Sequence, residues 1–170
     1  TFAGDYTVNN LTVGSTLTDG SNLERRIVQL DLQLVGLPPY PQAQPAQHVV
    51  LQAWLDESWI TRTYTVVSQS EDGNTVSIAM RRIEGGEFGP RLIDADDATF
   101  AAIPLRIAIP AGEIAPADSR PMVCFVAGVG VTLALSLLHG RRPGQHLHVD
   151  YSASRRGDMV YADRIERSAS

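Results

Sequence analysis

The stretch Arg62-Thr-Tyr-Thr-Val-Val-Ser68 places an arginine, an aromatic ring and several hydroxyls within seven residues. On an extended chain Arg62 and Tyr64 project from the same face, because side chains alternate with a period of two. A forked, permanently charged guanidinium beside a flat ring, with Thr65 and Ser68 as hydroxyl donors, suits a ligand that is flat and charged. The same residues also suit an ordinary strand with a solvated arginine. The turn Gly128-Val-Gly130-Val-Thr132 stands between an apolar run and a helix-forming run. Free amides and the helix dipole favour an anion at such a junction, although a tight turn without a ligand has the same composition. Gly85 and Gly86 let the backbone approach a phosphate closely.

Other reactive side chains point nowhere sharper. His146 and His148 share a strand face near His139, but the sequence suggests no third and fourth metal ligand. Cys124 lies within an apolar strand and reads as core. The run Asp94-Ala-Asp96-Asp97 reads as a solvated loop, with acid–base catalysis or a cation site as the alternative. Trp54 and Trp59 read as core and barrel-rim aromatics. All 14 basic residues are arginine, which rules out Schiff-base or P-loop lysine chemistry.

The elements that must position these groups fall into two parts. Ile27–Val35 alternates as a half-buried antiparallel strand, with Val28, Leu30, Leu32 and Leu34 on one side. A proline-rich loop follows, then the apolar run 48–54, a strand over 63–68, an Asp72-Gly73-Asn74 turn, and strands at 75–83 and 105–109. Short strands separated by Gly, Pro and Asp-Gly turns predict a small antiparallel β-barrel or sandwich, and the barrel is the expectation adopted. After the turn-rich segment 110–121 the period changes. The run 121–127 reads as a strand buried on both faces, followed by a glycine turn, a helix at 133–138, a strand at 145–152 and a helix from Met159 to about Ser168. That order begins a parallel, Rossmann-like α/β domain. The expected division is 1–116 and 117–170; the first part carries net charge −7 and the second +2.

At 170 residues and net charge −5, the chain lacks the basic stripe expected of a nucleic-acid-binding protein. One cysteine excludes an internal disulfide framework, and neither a signal-peptide layout nor an apolar run of about 20 residues is present. A cytoplasmic protein without membrane contact is the expectation.

Five segments in order resemble the ferredoxin reductase-like flavoproteins. Arg62–Ser68 resembles the Arg-x-Tyr-Ser/Thr-x-x-Ser motif of that family. The segment Ile78-Ala-Met-Arg-Arg-Ile-Glu-Gly-Gly86, the barrel-closing IAIPAGEI and VAGVGVTLALSLL match further segments, and Tyr151-Ser-Ala-Ser-Arg-Arg-Gly-Asp158 resembles the stretch after the second strand of the nucleotide domain. The resemblance implies FAD on the barrel, with Arg62 on its pyrophosphate and Tyr64 and Thr65 at the reactive ring. Ser68, Ala79, Arg81, Gly85 and Gly86 complete the implied flavin site. It implies NAD(P)H at Gly128, Gly130, Thr132 and Ser152, with Arg155 and Arg156 as candidates for a 2′-phosphate or as solvated charges. The implied function is a reductase passing electrons from NAD(P)H through FAD to an acceptor protein or small molecule. Departures are Gly89, Val129, Leu133 and Ser154, where the family usually has a hydroxyl residue, glycine, proline and arginine. The second domain ends after two strands of about five, so a missing C-terminal segment or a partner is expected to cover its sheet edge. The alternative is a non-redox barrel that binds another ligand or partner, or acts on a substrate without a cofactor.

Overall fold

The structure is a computed structural model that describes residues 6–16, 26–35, 39–112 and 119–168. Seven strands form one antiparallel sheet: β1 (Thr7–Thr16), β2 (Ile27–Val35), β3 (His48–Leu55), β4 (Ser58–Thr65), β5 (Ser68–Gln69), β6 (Thr75–Arg81) and β7 (Leu105–Ile107). Their order is β4-β3-β7-β1-β2-β6-β5. The sheet curls so that β4, at one end, comes to face β6, near the other. The inward faces supply the first core, in which Leu30, Leu32, Leu51, Ile78 and Ile107 are completely buried. Each such side chain contributes about 1.5–3 kcal/mol by leaving water.

The alternation expected for 27–35 is present from Val28 to Val35, while Ile27, expected on the outer side, is buried against the second layer. The hairpin β3–β4 is a different matter. The sequence places a strand at 63–68, whereas β4 begins at Ser58 and stops at Thr65. Its turn is Asp56-Glu57, both in the left-handed region (φ 47° and 62°), a conformation usually marked by Asn or Gly. Arg91 donates to the Asp56 carboxylate at 2.6 and 2.9 Å and braces the turn. Trp54 is not core: it is 41% exposed and meets Trp59 edge-on at 5.4 Å, with Arg106 stacked on Trp59.

Two short helices, α1 (Gly89–Ile93) and α2 (Asp97–Ala101), flank the stretch read as an acidic loop, and residues 94–96 form the non-helical link between them. The first two carboxylates of that stretch have structural work. Asp94 accepts from Arg82 at 2.8 Å, and Asp96 caps α2 by accepting from the Thr99 amide at 2.7 Å.

The second layer contains β8 (Met122–Ala127), α3 (Val131–His139), β9 (Leu147–Ser152) and α4 (Ala162–Ser168). β8 and β9 pair in parallel, Met122 with Leu147 through Ala127 with Ser152. The expectation that β8 is buried on both faces is corrected here. Cys124 and Val126 are buried, while Val123 and Phe125 are 59% and 78% exposed, because α3 covers one face only. A second core joins this layer to the barrel: Val126, Val131, Leu135 and Val160 pack with Ile27, Val67 and Ala79. The Ala46 amide donates to the Ser136 hydroxyl at 2.8 Å, and a Cβ on Gly140 would overlap Pro45. No helix among the described residues is long and apolar enough to cross a membrane.

Candidate functional site at the barrel seam

The register of the hairpin decides where the motif points. Arg62 lies opposite Leu51 and Tyr64 opposite Val49, both fully buried, so Arg62 and Tyr64 start from the inner face of the sheet. Among the described residues β4 has no strand partner on its other edge, so these side chains open into the seam rather than into a closed core. Arg62 remains half-exposed; its guanidinium lies 5.9 Å from the Phe88 ring centre and 4.0 Å from the Glu87 carboxylate. The Tyr64 ring packs 6.3 Å from Phe88 at a 31° tilt. Burial pushes the Tyr64 hydroxyl well above its ordinary pKa, with Arg62 pulling weakly the other way. That hydroxyl makes no hydrogen bond among the described residues.

The opposite wall of the seam is β6. β5 pairs with Val76 and Ser77, so among the described residues the edge of β6 from Ala79 to Arg81 has no strand beside it. Between the walls lies a cavity of about 410 Å³. Arg62, Tyr64 and Thr65 line it from β4, Ala79 and Arg81 from β6, and Gly86 from the loop. Gly130 and Thr132 reach the same cavity from the start of α3. An adjoining crevice of about 540 Å³ shares Arg81 and Val129 with it and is lined further by Gly128, Ser152 and Asp158. It lies at the carboxyl ends of the two parallel strands, where α/β sheets bind ligands. Gly128 is left-handed (φ 52°), and nothing stands within 4 Å of where a Cβ on Gly128 or Gly130 would be.

Other residues singled out by sequence lie elsewhere. Ser68 borders a third cavity of about 340 Å³, with Gln42 and His139, and does not meet Arg62. Gly85, at φ 68°, faces open space beside the seam. Arg155 and Arg156 are exposed outside the crevice, Arg156 lying 3.9 Å from Glu166. Three residues escaped the sequence reading. Phe88 and Glu87 flank the guanidinium, and their sole signal was proximity to Gly85-Gly86. Tyr151 donates to the Gly128 carbonyl at 3.3 Å and also meets the Val160 amide, joining the glycine turn to the far wall of the crevice. Burial raises its pKa to about 12.

The sequence profile of the oxidoreductase FAD-binding domain matches residues 17–101, half of the chain. The chain belongs to this family. A flavohemoprotein of Pseudomonas aeruginosa is 29% identical over 142 residues, covering 82% of the chain and 35% of the relative. The chain thus spans about a third of that relative's length. Among solved structures, flavohemoglobin from Malassezia yamatoensis with bound FAD and heme superposes with a TM-score of 0.70 at 16% identity, over 96% of the chain and 44% of that protein. A ferredoxin NADP+ reductase from Neisseria gonorrhoeae gives 0.65 at 17%, over 92% and 63%. The ferredoxin reductase-like fold expected from sequence, a barrel followed by a partial parallel α/β layer, is therefore the one observed.

The seam fits the FAD that defines the family. Its walls offer a half-buried aromatic ring for stacking, guanidiniums at Arg62 and Arg81, and an unpaired strand edge whose amides and carbonyls can meet the polar rim of a ring. The phenol of Tyr64 is a polar group held in the cavity without a hydrogen-bond partner among the described residues.

Proposed function

We propose that the chain is the electron-transferring part of a reductase, taking electrons from NAD(P)H at the crevice, passing them through FAD in the seam, and delivering them to an acceptor. The carrying observation is that Gly130 and Thr132 line the same cavity as Tyr64 and Thr65. One recess therefore brings the glycine turn next to the aromatic wall, where a dinucleotide and a flat ring would have to meet. Arg62 would neutralise the flavin diphosphate, Tyr64 would pack on the ring, and the Thr65 hydroxyl would hydrogen-bond its reactive edge. Gly128 and Gly130 allow close backbone approach to the second diphosphate, and Ser152 borders the crevice. Bound FAD supplies the conversion between electron pairs and single electrons. The chain's own part is to bind, orient and desolvate.

In this reading residues 1–116 form the flavin unit and 117–170 the start of the nucleotide unit. Ser68 and Gly85 act by shaping the barrel and its loop rather than by touching the cofactor. Arg155 and Arg156 reach a 2′-phosphate only by turning inward, Arg156 leaving Glu166. The acceptor is a protein or small molecule with a redox centre. The flavohemoprotein relative suggests haem, and a cytochrome P450 monooxygenase is among the structural neighbours, at a TM-score of 0.67. A cytoplasmic location accords with these electron donors and with the single cysteine.

The test is reconstitution of the purified chain with FAD, followed by anaerobic addition of NADH or NADPH. The parent should retain the flavin and its yellow band should bleach. Arg62→Ala should weaken FAD binding roughly tenfold or more, the effect of a lost charge-assisted pair. Unchanged FAD affinity in Arg62→Ala would show that the flavin site has been misplaced.

A further inference from the structure

α4 is anchored to the barrel at one place where the backbone is strained. Tyr161, immediately before the helix, has φ 60°, a region that a bulky residue avoids. Its hydroxyl crosses to the barrel and donates to Gln29 Oε1 at 2.9 Å, a link between residues 132 positions apart. Gln29 in turn donates to Asp31 at 3.0 Å, and Ser77 donates to the same carboxylate oxygen at 2.6 Å. The chain of hydrogen bonds thus runs from the second layer across β2 to β6. Beside it, Val160 is 1% exposed and packs in the core shared with Ile27 and Ala79. Three residues before Tyr161, Asp158 lines the crevice, whose opposite wall is Ile27 and Arg81 of the barrel.

We infer that Tyr161 is a positioning residue that sets the width of this crevice, holding the wall of Asp158 against Ile27 and Arg81 through its bond to Gln29. The inference rests on the crevice being the dinucleotide site. The left-handed backbone at Tyr161 would relax if the side chain were free, and relaxation would carry Asp158 and Val160 away from the barrel. A crevice that spends part of its time open binds its ligand with an affinity reduced by the competent fraction. Arg62, Tyr64 and Thr65 belong to the seam and are not held by this link, and Arg81, which borders both recesses, is fixed on β6 by its own pairing with Ile27, so flavin binding should change little.

The experiment is a double-mutant cycle on the FAD-loaded chain with Tyr161→Phe, Gln29→Ala and the pair, read as the dissociation constants of ADP and of FAD. Tyr161→Phe should weaken ADP by roughly three- to tenfold, the equivalent of one net hydrogen bond. It should leave FAD affinity within about twofold, and the pair should be no worse than the worse single variant. Hydrogen exchange at 158–162 should quicken in both single variants without ligand. A parent that binds FAD but not ADP overturns the dinucleotide reading and this inference with it. ADP binding in the parent with no loss in Tyr161→Phe, or with additive losses in the pair, overturns the positioning role alone. Equal losses of ADP and FAD affinity would mark general destabilisation and also overturn it.

Discussion

At the scale of single residues, the hydroxyl of Tyr64 separates stability from binding. A half-buried phenol with no partner among the described residues carries a desolvation cost in the free protein, and the direction of its pKa shift has the same cause. Tyr64→Phe keeps the ring against Phe88 and removes that cost. The expected outcome is an unfolding midpoint equal to or above that of the parent, together with FAD binding about three- to tenfold weaker, read by flavin fluorescence. A variant that is less stable and binds FAD equally well would show that the hydroxyl serves the fold. Arg62 and Tyr64 were legible in the sequence because both lie on one strand within three residues, where a period of two fixes their common face. Tyr161 and Gln29 were not, since nothing local connects residues so far apart.

At the scale of elements, β2 was legible because its four inward residues are all aliphatic and Gln29, Asp31 and Gln33 between them are polar. The β3–β4 turn was missed because Asp56-Glu57 adopts left-handed backbone without the usual residues, its geometry secured by the hairpin pairing and by Arg91. The end of α3 offers a measurable consequence of element packing. His139 lies between Arg164 of α4, whose guanidinium is 3.0 Å from its Nε2, and the Val67 carbonyl of the barrel. Burial first, and then the charge of Arg164, lower its pKa from the ordinary 6.5, against a smaller opposing effect from Val67. A histidine whose folded pKa is depressed is neutral in the native state where the unfolded chain already takes up a proton. Its contribution is therefore complete above about pH 6.5 and is lost as pH falls below that value and through the folded pKa. Urea midpoints between pH 7.5 and 5.5 should decline for the parent and decline less for His139→Asn. Because the imidazole is only partly buried, the difference should be small, and parallel declines would remove His139 as its source.

At the scale of the whole molecule, the second layer depends on the barrel, because its core is completed by Ile27, Ala46, Val67 and Ala79. Among the described residues nothing covers the other side of β8 and β9, where Val123 and Phe125 stand beside His148 and Asp150. Sequence could not distinguish this from a doubly covered strand, since MVCFVA is apolar at every position and carries no alternation. The two faces of one strand therefore make opposite predictions. Val126 is 8% exposed and contributes to the shared core, so Val126→Ser should cost about 2–3 kcal/mol through lost burial and an added hydroxyl. Phe125, its neighbour in sequence, is 78% exposed, and Phe125→Ser should shift stability by no more than about 0.5 kcal/mol. The same change interrupts an exposed apolar patch next to a parallel strand edge, which favours association between molecules. Sedimentation of the isolated 170-residue chain should accordingly show less self-association in Phe125→Ser than in the parent at equal concentration. If Phe125→Ser instead unfolds as readily as Val126→Ser, the outer face of β8 is packed in solution and its exposure is not a property of the folded chain.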